Sequence, residues 1–141
     1  MVPIINYSTV LVAAIASMVL GFLWFGPVFG KKWIALMGFS EAQMMEARKK
    51  SMVKTNLILF IGSLVMSFVL AHALIFASAY LNVNGVSAGV MAGFWNWLGF
   101  IAPVTLGVVL FDGKSWKLWF LNNGYWLLSL IVMGIILSLW S

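Results

Sequence analysis

Four stretches of the chain contain no aspartate, glutamate, lysine or arginine, and each exceeds the roughly 20 residues that a helix needs to cross a bilayer. They cover residues 4–29, 57–81, 86–111 and 118–140. Inside a bilayer a segment must pair its own backbone polar groups, which a helix does and an open strand does not. The sequence therefore predicts an all-α integral membrane protein, with four transmembrane helices in a compact bundle that forms a single domain over residues 1–141.

Composition supports the same interpretation. Of the residues, 64% are hydrophobic and only 8% are charged, whereas soluble domains carry about 25% charged residues. No lysine or arginine precedes Val10, so the positively charged start of a signal peptide is missing. We therefore expect the first stretch to be retained as a membrane helix.

The positive charges predict the orientation of the chain. All eight lysines and arginines lie either between the first and second stretches or between the third and fourth. Basic loops stay in the cytoplasm, so the loop 30–56 and the turn around residue 113 are expected inside and both termini outside. On this interpretation the basic pI reflects membrane topology, and nucleic acid is not an expected partner.

The basic loop carries local signals for short helices. Pro27 predicts that the first helix ends close to it, and Gly30 is expected to cap that end. Ser40 and Gln43 have the spacing of a capping box, which predicts a short amphipathic, basic helix from the residue after the serine. No glycine or proline follows before Gly62, so this helix is expected to continue into the second span.

Small residues at four-residue spacing let membrane helices approach closely. In the first and third stretches they predict the packing faces. These residues are Ala13, Ser17, Gly21, Gly85, Gly89, Gly93, Gly99 and Pro103. Because most of them lie in the third stretch, we expect the third helix at the centre of the bundle or of an oligomer interface, with a kink at the proline.

His72 is the only histidine and the only ionisable side chain inside the four stretches apart from tyrosines. An ionisable group at membrane depth is a functional candidate by default. At 1.5 Å per residue, His72 lies about 13 Å and Asn96 about 15 Å below the same boundary. We therefore expect the two side chains to face the interior and to approach within one water. The alternative is a neutral histidine that bonds to a nearby polar group and has a structural role only.

The fourth stretch opens with a second polar group at the cytoplasmic side. Asn122, Asn123 and Tyr125, together with Trp24 of the first stretch, predict a small polar pocket near that mouth. The alternative is that these side chains form hydrogen bonds between helices, each contributing about 1 kcal/mol or less. The residue pattern favours the second interpretation.

Four basic residues lie where they can meet anionic lipid headgroups, each contributing roughly 1 kcal/mol near the surface. They are Arg48, Lys49, Lys50 and Lys54. The same charges also set the topology, so lipid contact here is not a specific function.

Several chemistries are excluded. The chain has no cysteine and one histidine, too few ligands for a zinc site. Its three acidic residues lie in the loops, so neither a Ser-His-Asp triad nor a carboxylate proton relay is available within the membrane. Neither phosphate-binding glycine motif occurs. We expect no cofactor and no enzymatic activity; a Ser–His dyad at His72 is the one catalytic alternative.

The motifs resemble those of a known family. Residues 20–33 read LGFLWFGPVFGKKW, 97–100 read WLGF and 110–115 read LFDGKS. In these motifs the chain is similar to an uncharacterised bacterial membrane family catalogued as domain of unknown function 1761. Phe25 stands where that pattern commonly has tyrosine, and Asp112 where it commonly has glutamate. The resemblance implies four membrane helices and a bacterial setting, and it implies no activity. Together with the charge pattern, it leads us to expect a multi-pass protein of the bacterial cytoplasmic membrane.

Three functions are consistent with these observations. The first is a small non-enzymatic protein that acts as a homo-oligomer and binds or passes a small solute or lipid. The second is an accessory subunit that packs on a larger membrane partner through its glycine face. The third is an intramembrane enzyme that uses His72.

Overall fold

The computed structural model describes residues 5–140, and this part of the chain is helical throughout its regular elements. The helices are α1 Tyr7–Leu23, α2 Gly30–Met37, α3 Glu41–Lys49, α4 Val53–Leu81, α5 Gly85–Asn96, α6 Leu106–Leu110 and α7 Trp116–Leu139, with π-helical turns at Trp24–Val28 and Trp97–Ile101. Four segments are long and apolar enough to span a membrane, namely Tyr7–Val28, Val53–Leu81, Gly85–Leu110 and Trp116–Leu139. The predicted fold class is confirmed, and these segments are called the first to fourth spans below.

The first span begins at a side-chain cap. Asn6 Oδ1 accepts hydrogen bonds from the backbone N–H groups of Ser8 and Thr9 at 3.1 and 3.3 Å. This satisfies two of the donors that a helix start leaves unpaired. The predicted start at Ile4 lies outside the described residues.

Pro27 does not end the first span. It lies inside a π-helical turn, in which each carbonyl pairs five residues ahead instead of four. The Trp24 carbonyl accordingly accepts from the N–H of Phe29 at 2.9 Å. The cap predicted at Gly30 is wrong, because Gly30 starts α2 and a Cβ there would lie 2.7 Å from the Phe25 carbonyl oxygen.

The connection between the first two spans contains two short helices. Helix α2 ends at Gly38, whose φ of 70° is the left-handed conformation that glycine adopts most readily. The capping box is confirmed, because Gln43 N–H donates to Ser40 Oγ and Ser40 N–H donates to the Gln43 side chain. The predicted continuous helix is wrong, because Lys50 takes an extended conformation that separates α3 from α4.

The fourth span lies at the centre of the bundle. This corrects the first of the two positions predicted for the third span, and its place at an oligomer interface stays a prediction. Of the residues in the fourth span, Leu118, Ser129 and Met133 are at most 1% exposed. The third span approaches it most closely at glycine. A Cβ at Gly89 would lie 2.5 Å from the carbonyl oxygen of Gly134, so the two backbones are in direct contact.

The two ends of the bundle differ in charge. At one end, Thr9 Oγ1 donates to the Trp140 carbonyl at 2.6 Å, which joins the start of the first span to the end of the fourth. At the other end, Lys114 Nζ donates to the Met37 carbonyl at 2.8 Å, which joins the two basic connections. The basic connections therefore share one end of the molecule, as the charge pattern predicts.

Candidate functional site

Several polar side chains within the spans hold the helices together. Ser17 and Ser129 share a hydrogen bond of 2.6 Å between their hydroxyl oxygens, and the Tyr125 hydroxyl donates to the Ser17 carbonyl at 3.0 Å. All three residues are buried. This contact ties the first span to the fourth, with Gly21 packed under the Tyr125 hydroxyl.

Asn123 is the centre of a second polar cluster, which ties the third span to the fourth. Its Oδ1 accepts from Trp97 Nε1 at 3.1 Å, and its Nδ2 donates to Thr105 Oγ1 at 3.1 Å and to the Trp119 carbonyl at 3.0 Å. Trp119 Nε1 also donates to Thr105 Oγ1 at 3.1 Å. Asn123 is only 2% exposed, so its amide is fully used inside the protein.

The two π-helical turns are anchored on the same part of the fourth span. Each begins with a tryptophan, Trp24 in the first span and Trp97 in the third. Trp24 Nε1 donates to the Leu121 carbonyl at 3.1 Å, and Trp97 Nε1 donates to the side chain of Asn123. Each helix break is therefore fixed by an indole that donates to a residue next to Asn122 in the sequence.

Asn122 lies among closely packed aromatic side chains. Its Oδ1 is buried, with no hydrogen-bond partner among the described residues. A Cβ at the neighbouring Gly124 would lie 3.1 Å from the Trp24 ring, and Phe25 packs edge-on against Tyr125 at 5.2 Å between centroids. Close aromatic packing thus occupies the space where the sequence predicts a polar pocket.

The structure does not bring His72 and Asn96 together. His72 Nδ1 bonds to the Phe68 carbonyl on its own helix at 2.8 Å, and its ring packs against the Phe68 ring at 4.5 Å between centroids. Phe68 in turn stacks with Tyr7 of the first span. The contacts of His72 are therefore local to its own helix.

Asn96 instead lines a groove of about 390 Å3 between the second and third spans. This volume lies within the roughly 300–1,000 Å3 of small-molecule sites. The other lining residues are apolar, among them Val65, Val69, Leu70, Phe100 and Leu130. Because Val65, Val69 and Phe100 are 57%, 58% and 74% exposed, the groove opens sideways, toward the lipid that surrounds a membrane protein.

The hydrogen bonds of Asn96 determine what it offers to that groove. Its Nδ2 donates to the Ala92 carbonyl at 2.8 Å. The reverse amide orientation would place two acceptor oxygens against each other, so this bond fixes the orientation. The Oδ1 atom accepts from no described residue, so it remains for a ligand together with the second N–H of the amide.

One wall of the groove belongs to the broken part of the third span. The N–H of Ala102 donates to the Trp97 carbonyl at 2.9 Å, and Pro103 has no N–H to donate. The carbonyls of Leu98 and Gly99 therefore lose the donors that an α-helix would give them. At membrane depth, irregular backbone of this kind is tolerated where it is buried or lines a cavity.

The predicted packing faces divide at this break. Ala13, Ser17, Gly21, Gly89 and Gly93 lie against other spans. By contrast, a Cβ at Gly85 or Gly99 would meet no atom within 4 Å, and Pro103 is exposed. Gly85 serves the turn after α4 with a φ of 68°, and the break carries Gly99 and Pro103 away from the neighbouring helices.

Charged groups lie outside this region. Arg48, Lys49, Lys50 and Lys54 are all exposed at the basic end. Among the described residues there is no cluster of histidine, aspartate and glutamate able to hold a metal ion. A second cavity, of about 50 Å3, lies at the opposite end beside Asn6 and Thr9.

The sequence interpretation did not include Thr105, Trp97 or the α4 residues of the groove. Thr105 follows Pro103 by two residues, and its hydroxyl also donates to the Ile101 carbonyl at 2.8 Å. Hydroxyl side chains near a proline commonly satisfy backbone groups of the broken turn. The spacing of Thr105 from Pro103 could therefore have predicted this role. The groove residues are ordinary valine and leucine and carry no such signal.

The fold and the groove define a polytopic membrane protein with four spans, a central fourth helix and one amide that faces the membrane-side groove. The sequence profile described as Protein of unknown function (DUF1761) matches residues 8–138. The chain therefore belongs to that family, which confirms the predicted resemblance. No curated protein and no solved structure matches the chain.

Proposed function

We propose that this chain is a non-enzymatic membrane protein that binds a small, mainly apolar molecule from the lipid phase in the groove between the second and third spans. The observation that carries the proposal is the groove of about 390 Å3 with one amide in an otherwise apolar lining. Small-molecule sites typically combine apolar walls with a few placed polar groups. Most of the remaining buried polar side chains support the proposal because they already have hydrogen-bond partners within the protein.

The location of the groove favours a ligand that arrives through the bilayer. Asn96 follows Gly85 by 11 residues, so it lies about 17 Å along the span at 1.5 Å per residue. The hydrocarbon core of a bilayer is about 30 Å thick, which puts Asn96 near its middle. Exposed valines at the rim of the groove leave a lateral path for an apolar molecule.

The cellular setting forms part of the same proposal. Family resemblance and charge distribution support a bacterial cytoplasmic membrane, with the basic connections inside and both termini outside. The exposed cluster of Arg48, Lys49, Lys50 and Lys54 would then contact anionic headgroups at the inner surface.

A test uses a photoreactive 16-carbon hydrocarbon probe on the protein in lipid nanodiscs. Val69→Trp fills the groove, and Val19→Trp adds the same bulk to an exposed position of the first span, where Val19 is 50% exposed. We expect labelling of α4 and the third span in the parent and in the Val19 variant, and its loss in the Val69 variant. Equal labelling of all three proteins would contradict the proposal.

Self-association through the third span is a second candidate, supported by Trp95. Its side chain is 58% exposed, and its indole N–H has no acceptor among the described residues. Tryptophan normally lies at the membrane boundary, whereas Trp95 is about 15 Å along the span from Gly85. We expect Trp95→Leu to weaken a homo-oligomer in nanodiscs, as measured by native mass spectrometry, whereas Phe76→Leu on α4 should not.

A further inference from the structure

We infer that the groove recognises a single-chain molecule whose head is an uncharged hydrogen-bond donor, that is, a long-chain alcohol. This inference rests on the proposed function, because it names the ligand class of the same groove. It follows from the kind of polar atom that the groove leaves unpaired.

The Asn96 amide leaves one acceptor and one donor unpaired at the groove. Asn96 uses one of its two N–H groups on the Ala92 carbonyl, so its carbonyl oxygen and its second N–H are left for a ligand. A hydroxyl group complements both, because it can donate and accept. An ether or an ester can only accept, and it would leave the Asn96 oxygen without a donor.

Charge excludes the common lipid heads. No lysine, arginine or histidine is among the residues that line the groove, so a carboxylate or phosphate would lie near the bilayer centre without a counter-charge. Burying such an ion unpaired is strongly unfavourable. An ammonium head would face acceptors but would still carry a charge without an acidic partner. An uncharged hydroxyl avoids both costs.

Size favours one chain. The groove of about 390 Å3 lies near the lower end of the range for small-molecule sites. Its walls are branched aliphatic and aromatic side chains such as Val65, Val69 and Phe100, which suit a single hydrocarbon tail. A hydroxyl carried to this depth is unpaired in lipid, so Asn96 would supply its only strong partner.

The test is a competition series with matched chains in nanodiscs. A photoreactive long-chain alcohol labels the protein, and 1-hexadecanol, hexadecyl methyl ether, hexadecane and palmitate compete with it. One net hydrogen bond corresponds to roughly a fivefold change in affinity, so we expect hexadecanol to compete about fivefold better than the ether or the alkane, and palmitate to compete worst. In Asn96→Leu, the alcohol and the ether should compete equally well, and the alkane should still compete.

The outcomes separate the two proposals. Equal competition by alcohol, ether and alkane in the parent would overturn the donor assignment while leaving groove binding intact. Stronger competition by palmitate would also overturn it. Loss of all labelling in the parent, or labelling unaffected by Val69→Trp, would overturn groove binding itself. The parent series needs no variant, so the assignment stays testable even if Asn96→Leu unfolds.

Discussion

The two halves of the third span use the same residue type for different purposes. In α5, Gly89 and Gly93 lie directly against the backbone of the fourth span, where a Cβ would come within 2.5 and 2.7 Å of backbone atoms. Within the π-helical turn, a Cβ at Gly99 would meet nothing within 4 Å. Close packing therefore stabilises the first half, and the second half leaves a groove. Glycine spacing alone does not distinguish these two roles.

The largest expected effect comes from filling the packed half. Gly89→Val should destabilise the protein by about 3 kcal/mol or more, because the new side chain meets the Gly134 backbone, which cannot rotate away. Gly99→Val is the matched control and should cost well under 1 kcal/mol. Unfolding in mixed micelles with increasing denaturing detergent measures both. Similar losses for the two variants would contradict the difference between the halves.

A second comparison separates two adjacent amides of the fourth span. Asn123→Leu should cost about 2 kcal/mol, because it leaves the indole of Trp97 and the hydroxyl of Thr105 without their partner. Asn122→Leu should be neutral or stabilising, since it removes a buried oxygen that no described residue satisfies. The same unfolding assay applies. A larger loss for Asn122→Leu would show that Asn122 has a partner such as a bound water.

A smaller effect is expected from the two anchoring indoles. Trp97→Phe removes a bond to the buried side chain of Asn123, and Trp24→Phe removes a bond to a main-chain carbonyl. Single hydrogen bonds in membrane proteins contribute about 0.6 kcal/mol on average. We expect the Trp97 variant to lose the more stability, because Asn123 Oδ1 is then left poorly satisfied. Hydrogen exchange at the two π-helical turns would report which break loosens.

The smallest effect is expected at the basic end. Lys114 donates to the last carbonyl of α2, where a cation is also favoured by the helix dipole. Lys114→Met should speed amide exchange in α2 while leaving the spans unchanged. Lys117→Met, at an exposed position that makes no such bond, is the control. Identical exchange in both variants would show that the contact contributes nothing to α2.

The spans and their order were predictable because a bilayer demands long uncharged helices, and the capping box at Ser40 was predictable from two residues. The packing of the spans against one another was less predictable. Pro27 indicated a helix end, but a π-helical turn accommodates it and continues the span. The glycines of the third span indicated a central helix, yet its exposed far half shows that spacing does not report which neighbour fills the space.

The candidate site was predictable only in part. Asn96 was identified as a polar residue at membrane depth, and its depth came from counting residues along the span. Its pairing with His72 did not follow from depth, because the angular position around α4 places His72 beside Phe68 instead. The groove itself depends on how far the third span diverges after Trp97. The residue types at Val65 and Val69 do not predict that divergence.

A structure in lipid nanodiscs, with the density between α4 and the third span inspected beside Asn96, tests the central claim most directly. The account predicts an elongated density in the groove that ends within hydrogen-bonding distance of Asn96 Oδ1, while Asn123 remains bonded to Trp97 and Thr105. A groove closed by direct contact of Val69 with Phe100, with Asn96 Oδ1 bonded to another part of the protein, would contradict it.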